Sequence, residues 1–257
     1  MKYACMKVLI ACEESQRVCA AFRKFEPDGD IYSCDILPCS GEHPEWHIQT
    51  DVIPLLDGNC EFKTQDGITH CISGTWDLII AHPPCTFLCR SGQSWCNVDR
   101  YGDRALERIQ ERDKAVAFFM RIATANCEYI AIENPVGIMS ICYRKPDQYI
   151  RPCEFGHPTG KKTGLWLKQL PLLVPANIVE IEYRISASGK KYDKWFYESS
   201  KIWPPSARPL YRSKTFEGVA EAMAEQWYPF IMERLSPQFL PPKQDTIRQH
   251  QGDLYDQ

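Results

Sequence analysis

Four short apolar runs, each stopped at once by polar residues or proline, constrain the fold of this chain most. They are residues 7–11 (KVLIA), 31–34 (IYSC), 76–81 (WDLIIA) and 129–132 (YIAI). Runs of this length, largely apolar rather than alternating, are typical of strands buried on both faces of a parallel sheet. The polar residues that follow them would then lie together beyond the carboxyl ends of the strands, where such sheets bind ligands.

Helical patterns separate these runs. Residues 103–125 keep apolar side chains at helical spacing among charges, and residues 219–235 predict a closing helix. A shorter helix is expected over 16–24, with Ser15 as its N-terminal cap. Two further extended segments are predicted, residues 48–52 and 164–167. Strands that alternate with helices predict an α/β fold, in which helices cover both faces of a mostly parallel twisted sheet.

The charge distribution sets a C-terminal region apart from the rest of the chain. The net charge is −3 over 257 residues, yet residues 151–215 hold twelve lysines and arginines against five acidic residues. Such a surplus is typical either of a surface that binds a polyanion or of a solvated basic face. We expect a catalytic domain over 1–173 and 213–235, a small basic and aromatic insert over 174–212, and a flexible tail over 236–257.

The composition favours a cytoplasmic protein. No apolar run is long enough to cross a bilayer, and two glutamates stand where a signal peptide would have its small-residue cleavage site. Without export, the thirteen cysteines are expected to be reduced thiols rather than a disulfide framework.

Two of the strand ends carry residues that suit covalent chemistry. Cys85 follows Pro83 and Pro84, and this stiff corner would aim a nucleophilic thiol at a pocket beyond the sheet. Glu133 ends another buried strand, where its pKa is expected to rise, and a protonated Glu133 could donate to a ring nitrogen. Taken singly, each residue also fits a structural role, Cys85 in a proline turn and Glu133 as a loop cap.

These motifs resemble those of the DNA cytosine-5 methyltransferases, in their order as well as their residues. AHPPCTFLCRSG is similar to the Pro-Cys motif that carries the family's nucleophile, and AIENPVG is similar to its Glu-Asn-Val motif. VLIACEES matches the place of the cofactor loop, CDI and TDV those of two acidic turns, and FEGVAEAMAEQW that of the last motif. The resemblance spans about residues 6–235 and implies a Rossmann-like methyltransferase fold.

The resemblance implies a role for each matched residue. Cys85 would add to carbon 6 of cytosine, Glu133 would contact the ring's N3 and exocyclic amine, and the methyl group would come from S-adenosylmethionine. The implied catalytic residues are Cys85, Glu133, Pro84, Asn134 and Lys162, the last in the place of the family's Arg-x-Arg motif. The implied cofactor-binding residues are Cys12, Glu13, Glu14, Ser15, Asp35, Ile36, Asp51, Val52, Pro83 and Glu221. Asp35 would hold the ribose hydroxyls and Asp51 the adenine amine, although both also suit turns or caps.

Two departures from the family bear on the cofactor and the target. The family's cofactor loop is rich in glycine, whereas residues 11–15 (ACEES) have none, so the ligand is S-adenosylmethionine or a modified sulfonium analogue of it. The insert is short, as in a reduced, phage-like member, and would bind DNA as a single strand or with the cytosine flipped out. It could instead be a basic hairpin packed on its own aromatic residues. The expected nucleic-acid contacts are Lys161, Lys190, Lys191, Lys194, Arg208 and Arg212.

Other functions remain open from the sequence. The same adduct chemistry could modify a free nucleotide or a single strand, which the short insert favours, and the glycine-free loop would also fit an inactive relative that binds nucleic acid. A zinc site of His82, Cys85, Cys89 and Cys96 lacks the Cys-x-x-Cys spacing of structural zinc. We therefore expect neither a metal nor a membrane partner, and a setting in the cytoplasm of a bacterial or phage-infected cell. The sequence gives neither the target sequence nor the oligomeric state.

Overall fold

Eleven strands form within residues 5–236, which are the residues that the computed structural model describes. They are β1 (Val8–Ala11), β2 (Ile31–Asp35), β3 (His47–Gln49), β4 (Cys60–Lys63), β5 (Thr69–Ile72), β6 (Leu78–Ala81), β7 (Tyr129–Pro135), β8 (Gln148–Ile150), β9 (Thr163–Lys168), β10 (Tyr183–Ile185) and β11 (Lys191–Asp193). The tail predicted over 236–257 lies, beyond Ser236, outside the described residues.

Seven of these strands form one sheet in the order β3-β2-β1-β6-β7-β9-β8. Neighbouring strands pair in parallel from β3 to β7, whereas β9 is antiparallel to both β7 and β8. The chain adds β2 and β3 on one side of β1 and then returns to add β6 and β7 on the other. A crevice opens at the point where the strand order reverses, beyond the carboxyl ends of β1 and β6.

Helices cover both faces of the sheet. They are α1 (Arg17–Arg23), α2 (Arg90–Gln93), α3 (Val98–Tyr101), α4 (Asp103–Ala123), α5 (Met139–Cys142), α6 (Lys194–Ile202), α7 (Arg208–Ser213) and α8 (Glu217–Leu235). Because side chains alternate across a strand, Val8 of β1 packs in one core cluster with Trp227 of α8, and Leu9 packs in the other with Phe119 of α4. The predicted α/β, Rossmann-like fold is confirmed.

Three local predictions are wrong. Ser15 does not cap α1: the cap position is Gln16, and the carboxylate of Glu13 accepts the hydrogen bonds of the first helical amides instead. The extended piece predicted over 48–52 is shorter, since β3 ends at Gln49 and a 3-10 turn, Ile53–Leu55, follows. Glu133 does not end its strand, because β7 continues to Pro135 by pairing with the antiparallel strand β9.

The predicted insert lies outside the main sheet. It contains the hairpin of β10 and β11 and then α6 and α7. A second hairpin, β4 with β5, lies between β3 and β6 in sequence. The division of the chain into a catalytic domain and an insert stays a prediction.

Two predictions from composition remain: that the cysteines are reduced thiols, and that no segment crosses a membrane. The twelve cysteines from Cys12 to Cys153 are all free thiols, and four of them, Cys19, Cys34, Cys127 and Cys153, are buried. Between residues 5 and 236 no helix combines the length and the apolar character needed to span a membrane.

Candidate active site

A large cleft opens at the crevice between β1 and β6. Its volume is about 1860 Å³, and it is lined by the segments that follow β1, β2, β6 and β7. Because parallel strands end at the same edge of a sheet, residues far apart in sequence meet here. The size is sufficient for a cofactor and a second ligand side by side, since ligand pockets usually occupy about 300–1,000 Å³.

Most of the predicted site residues line this cleft. They are Cys12, Glu13, Glu14, Ser15, Asp35, Ile36, Asp51, Val52, Pro83, Pro84, Cys85, Glu133, Asn134, Lys161, Lys162 and Arg212. Glu221 does not, and the structure contradicts its assignment to the cofactor pocket. The helical repeat of α8 buries Ala220 and Ala222 but turns Glu221 to the surface, where it accepts a hydrogen bond from Lys24 at 2.8 Å.

The remaining cations of the insert lie outside the cleft. Arg208 donates to the backbone carbonyls of Ser200 and Trp203, so it braces α7 against α6, and Lys194 pairs with Glu182. The exposed Lys190 and Lys191 lie over the rings of Tyr192 and Tyr183. The hairpin thus packs these two lysines on its own aromatic residues, as in the alternative interpretation of the insert as a basic hairpin. Contacts of these residues with nucleic acid stay a prediction.

Hydrogen bonds from two other elements hold the loop that carries Cys85. The Asn134 amide nitrogen of β7 donates to the Pro83 carbonyl at 2.7 Å, and Arg108 of α4 donates to the Thr86 carbonyl at 3.1 Å. The backbone carbonyl of Cys85 accepts from the amides of Leu88 and Cys89, each at 3.0 Å. The backbone is therefore fixed on both sides of the thiol, which is half-buried.

A close backbone approach joins the same loop to the end of β7. The amide of Ile138 donates to the carbonyl of Leu88 at 2.9 Å, and Gly137 forms a bridge with Cys89. A β-carbon on Gly137 would lie 1.9 Å from the Leu88 carbonyl oxygen, which is a steric clash. Glycine fits this position because it has no β-carbon.

Glu133 faces the cleft as a half-buried carboxylate, with its side chain 15 % exposed. His82 Nδ1 lies 3.1 Å from its Oε2, and its neighbourhood also holds Lys161 and the hydroxyl of Thr163. Burial alone would raise the pKa of Glu133, but the hydrogen bond from His82 and the positive charge of Lys161 outweigh it, so the pKa lies below its ordinary value. The prediction of a raised pKa is wrong: these contacts favour the ionised form of Glu133.

Cys85 has the opposite shift. Burial raises the pKa of its thiol, the nearby Cys89 and Glu133 raise it further, and the positive charge of Lys161 opposes the rise. Because the thiolate is the nucleophilic form, Lys161 favours the reactive state of Cys85 and Glu133 disfavours it.

The loop after β1 forms the other half of the cleft without a glycine. Cys12 and Gln16 both adopt a φ of 59°, the left-handed conformation that favours glycine. The strain is stabilised locally: Gln16 exchanges hydrogen bonds with the backbone of His43, and Glu13 accepts from the amides of Val18 and Cys19. The chain turns sharply into α1 here, and the Glu13 carboxylate stabilises this turn through its two hydrogen bonds to helical amides.

Three acidic side chains line the same half. Glu14 is buried, and its Oε1 has no hydrogen-bond partner within the described chain, although Lys214 Nζ lies 3.7 Å away. Asp35 and Asp51 each use Oδ1 to accept a backbone amide two residues on, from Leu37 and Ile53. Both aspartates therefore make the local turns considered as alternatives, while they also face the cleft.

Sequence reasoning missed several residues of the cleft. His82 was considered only as a zinc ligand, and Trp95, Tyr101, Lys214 and Thr215 were not singled out. The position of His82 directly before Pro-Pro-Cys was the one available signal, because a residue at a strand end shares the site of its neighbours. Within residues 5–236, no three His, Cys, Asp or Glu side chains converge as a metal site.

Comparisons with known proteins give little. No protein-family model matches the chain, and no curated protein matches it. Among the solved structures that match is a protein described as a DNA modification methyltransferase encoded within an E. coli prophage, at 16 % identity and a TM-score of 0.36. The alignment covers 68 % of this chain and 52 % of that protein, so the chain spans about half of its length. So remote a likeness does not bear on function.

Proposed function

We propose that this protein transfers a methyl group from S-adenosylmethionine to carbon 5 of cytosine in DNA, through a covalent adduct of Cys85 with carbon 6. The observation that supports this most is the shared cleft: a thiol beyond β6 and a carboxylate on β7 face one space together with the loop after β1. Asn134 ties the two strand ends to each other. The sheet thus brings together a thiol, a carboxylate and the loop after β1, which are the groups that this reaction would use as nucleophile, ring-binding carboxylate and cofactor loop.

The residues of the β1 half suit a cationic adenosyl ligand. The buried Glu14 carboxylate has an oxygen free of hydrogen bonds in the described chain, as a partner for an ammonium or sulfonium group would. Asp35 and Asp51, at the ends of neighbouring segments, would hold the ribose hydroxyls and the adenine amine. When bound, S-adenosylmethionine supplies an electrophilic methyl group to carbon 5 of the ring.

The residues of the β6 and β7 half suit the addition to a cytosine ring. Cys85, once deprotonated, would attack carbon 6, and Lys161 would favour its thiolate. Glu133 would bind the exocyclic amine and N3 and so stabilise the charge that develops on the ring. Loss of the proton on carbon 5 would then expel Cys85 and restore the aromatic ring.

DNA is the partner that the charges favour. Lys161, Lys162 and Arg212 line the same cleft as Cys85, and Lys190 and Lys191 are exposed on the hairpin of the insert. A cytosine must leave the base stack to reach a thiol in such a cleft, so the target is flipped out or single-stranded. We assign this activity to the cytoplasm of a bacterial or phage-infected cell.

The test is a mechanism-based trap. The protein is incubated with S-adenosylmethionine and 5-fluorocytosine in three forms (a duplex, a single strand and the free nucleotide), and mass spectrometry measures denaturant-stable adducts. Fluorine on carbon 5 cannot leave as a proton does, so an active enzyme stays attached through Cys85. We expect a methylated adduct with the duplex, and we expect the Cys85→Ser variant to form none. A control oligonucleotide that carries 5-fluorouracil in place of 5-fluorocytosine reports base selectivity.

The outcomes separate the alternatives. An adduct with the free nucleotide or single strand alone would favour a different substrate for the same chemistry. DNA binding without any adduct and without cofactor binding by calorimetry would favour an inactive nucleic-acid-binding relative. An adduct whose added mass exceeds that of a methyl group could arise only from a donor that copurifies with the protein, and would point to a modified sulfonium.

A further inference from the structure

His82 is a buried residue of the cleft that the proposed reaction has not used. It joins β6 to Pro83, and its backbone amide donates to the Ala11 carbonyl of β1 at 2.9 Å. Its side chain is 7 % exposed, and Nδ1 lies 3.1 Å from Glu133 Oε2. The other ring nitrogen, Nε2, is buried with no hydrogen-bond partner among residues 5–236.

A purely structural role does not account for this ring. Buried histidines normally satisfy both nitrogens, because an unpaired buried polar group costs about 1–3 kcal/mol. The surroundings are held by other contacts: Asn134 fixes Pro83, and the hydroxyl of Thr163 also bonds to Glu133. The unpaired Nε2 of His82 therefore carries a free-energy cost that is not needed to hold the fold around Glu133.

Two carboxylates and a hydroxyl face the ring of His82. Glu133 approaches from β7 and Glu13 from the loop after β1, while the Thr215 hydroxyl before α8 lies 3.5 Å from Nδ1. Burial raises the pKa of Glu13, and the positive charge of His82 opposes that rise. Other charged or titratable groups of this neighbourhood are Lys161 before β9, which acts on Glu133, and Cys85 in the following loop. Arg17 of α1 also lies nearby and donates to the Thr215 carbonyl at 2.7 Å.

The proposed reaction needs a proton. N3 of cytosine carries a lone pair, and an ionised Glu133 can only accept hydrogen bonds, so the two would repel each other. We propose, resting on the function proposed above, that His82 supplies from Nδ1 the proton that Glu133 passes to N3 as Cys85 adds to carbon 6. His82 acts through Glu133 and is a positioning and proton-supplying residue.

The step balances without a further reagent. The bond from Cys85 Sγ to carbon 6 forms, the ring π electrons shift so that a double bond joins carbons 4 and 5, and N3 takes the proton. Glu133 returns to its ionised form, and His82 is left as neutral imidazole. When Cys85 later leaves and the ring regains its double bonds, N3 returns the proton to His82 through Glu133, so His82 ends each cycle as it began.

The test compares His82→Asn with the wild-type protein. The asparagine amide can stand close to Nδ1 and donate to Glu133, but it carries no proton to transfer at neutral pH. His82→Gln serves as the matched control for side-chain volume, and thermal unfolding and calorimetry with S-adenosylmethionine report fold and cofactor binding. The rate of adduct formation on 5-fluorocytosine DNA is measured from pH 5.5 to 11 in single turnovers, so that the range extends beyond the raised pKa of Cys85.

We expect two limbs in the wild-type profile. The rate rises with pH while Cys85 still loses its proton. Above the raised pKa of Cys85 the rate falls, because only the continuing loss of the His82 proton then changes with pH. In His82→Asn the falling limb disappears and the rate at neutral pH drops by at least about 100-fold, the lower range for general acid catalysis. Glu133→Gln must also lack the falling limb, and the double variant must be no slower than Glu133→Gln alone, because both residues serve one step.

Two results would overturn the proposal in distinguishable ways. A His82→Asn variant within about threefold of the wild-type rate and with both limbs intact would refute the role of His82 while the adduct chemistry stands. No adduct in the wild-type protein on any 5-fluorocytosine substrate would refute the proposed function, and the role of His82 with it. If His82→Asn does not fold, a falling limb that persists in Glu133→Gln is sufficient to reject the relay.

Discussion

The side-chain amide of Asn134 donates to the Pro83 carbonyl at 2.7 Å, which ties the strand that carries Glu133 to the loop that carries Cys85. Asn134 is buried, and its own carbonyl oxygen has no partner within the described part of the chain. Together with the backbone contacts of Gly137 and Ile138, this hydrogen bond sets the relation between the candidate nucleophile and the candidate ring-binding carboxylate.

Asn134→Asp should uncouple these two groups. An ionised aspartate keeps the shape of the side chain but cannot donate, so two acceptors would face each other. We expect the free energy of unfolding to fall by about 1–3 kcal/mol and the adduct rate by about 100-fold. Denaturant unfolding and the 5-fluorocytosine trap measure the two effects. A variant that keeps the full adduct rate would show that Asn134 does not position the site.

The reactivity of Cys85 should depend on Lys161. Burial holds the pKa of the thiol above its ordinary value and Lys161 opposes this, so alkylation by iodoacetamide is expected to be slow at pH 7 and to rise as the pH increases. Lys161→Met raises the pKa further and should slow alkylation at pH 7 by about 3–10-fold. Mass spectrometry of the peptide containing Cys85 gives the rates. Lys168→Met, on β9 away from Cys85, is the control and should leave them unchanged. Equal rates in wild type and Lys161→Met would rule out the interaction.

Gly137→Ala should disrupt the loop beside Cys85. The added carbon would lie 1.9 Å from the Leu88 carbonyl, so the backbone must shift, and we expect a loss of about 1–3 kcal/mol in the free energy of unfolding. Ser140→Ala, three residues on, is the control: it removes a buried hydroxyl that has no partner in the described chain, so stability should stay the same or increase. Thermal unfolding of both variants tests the pair, and an unaffected Gly137→Ala would contradict the close approach.

Substitution of Glu14 should weaken cofactor binding, whereas substitution of Glu221 should not. Glu14 lines the cleft, and its Oε1 makes no hydrogen bond within the described chain although Lys214 Nζ lies 3.7 Å away, whereas Glu221 bonds to Lys24 at the surface. Calorimetry should find S-adenosylmethionine bound about 10-fold more weakly by Glu14→Gln, which is about 1.4 kcal/mol, and unchanged by Glu221→Gln. A smaller loss with S-adenosylhomocysteine would place Glu14 near the sulfonium charge. A loss in Glu221→Gln instead would reverse the assignment.

The cations of the insert should divide into those that bind nucleic acid and those that hold the fold. Lys190→Ala/Lys191→Ala should reduce the salt dependence of DNA binding, with a slope smaller by up to about 2, because each lysine releases about one counterion from a phosphate. Lys24→Ala, at the C-cap of α1, should leave the slope unchanged, and Arg208→Ala should instead lower the melting temperature. Fluorescence anisotropy across salt concentrations measures the slopes, and an unchanged slope in the double variant would exclude the hairpin from the interface.

Much of the site was accessible to sequence reasoning because strand-end residues share one edge of a parallel sheet. The runs before Cys12, Asp35, Cys85 and Glu133 each predicted a buried strand, and the structure brings all four residues to one cleft. Glu221 failed for a local reason: a motif match identifies a helix, but one residue's rotation about that helix decides whether a side chain faces the cleft or solvent.

The sequence by itself determined the alternation of buried strands and helices, because apolar runs and the polar residues that follow them indicate which segments are buried. Only the tertiary structure decided the charge states, because a pKa depends on neighbours that come from other strands. Glu133 was expected to hold a proton in an apolar place, yet His82 and Lys161, 51 and 28 residues away in sequence, lower its pKa. Likewise, β7 extends past Ile132 because the distant strand β9 pairs with it. Local sequence sets what each segment can form, and contacts between segments set what each side chain can do.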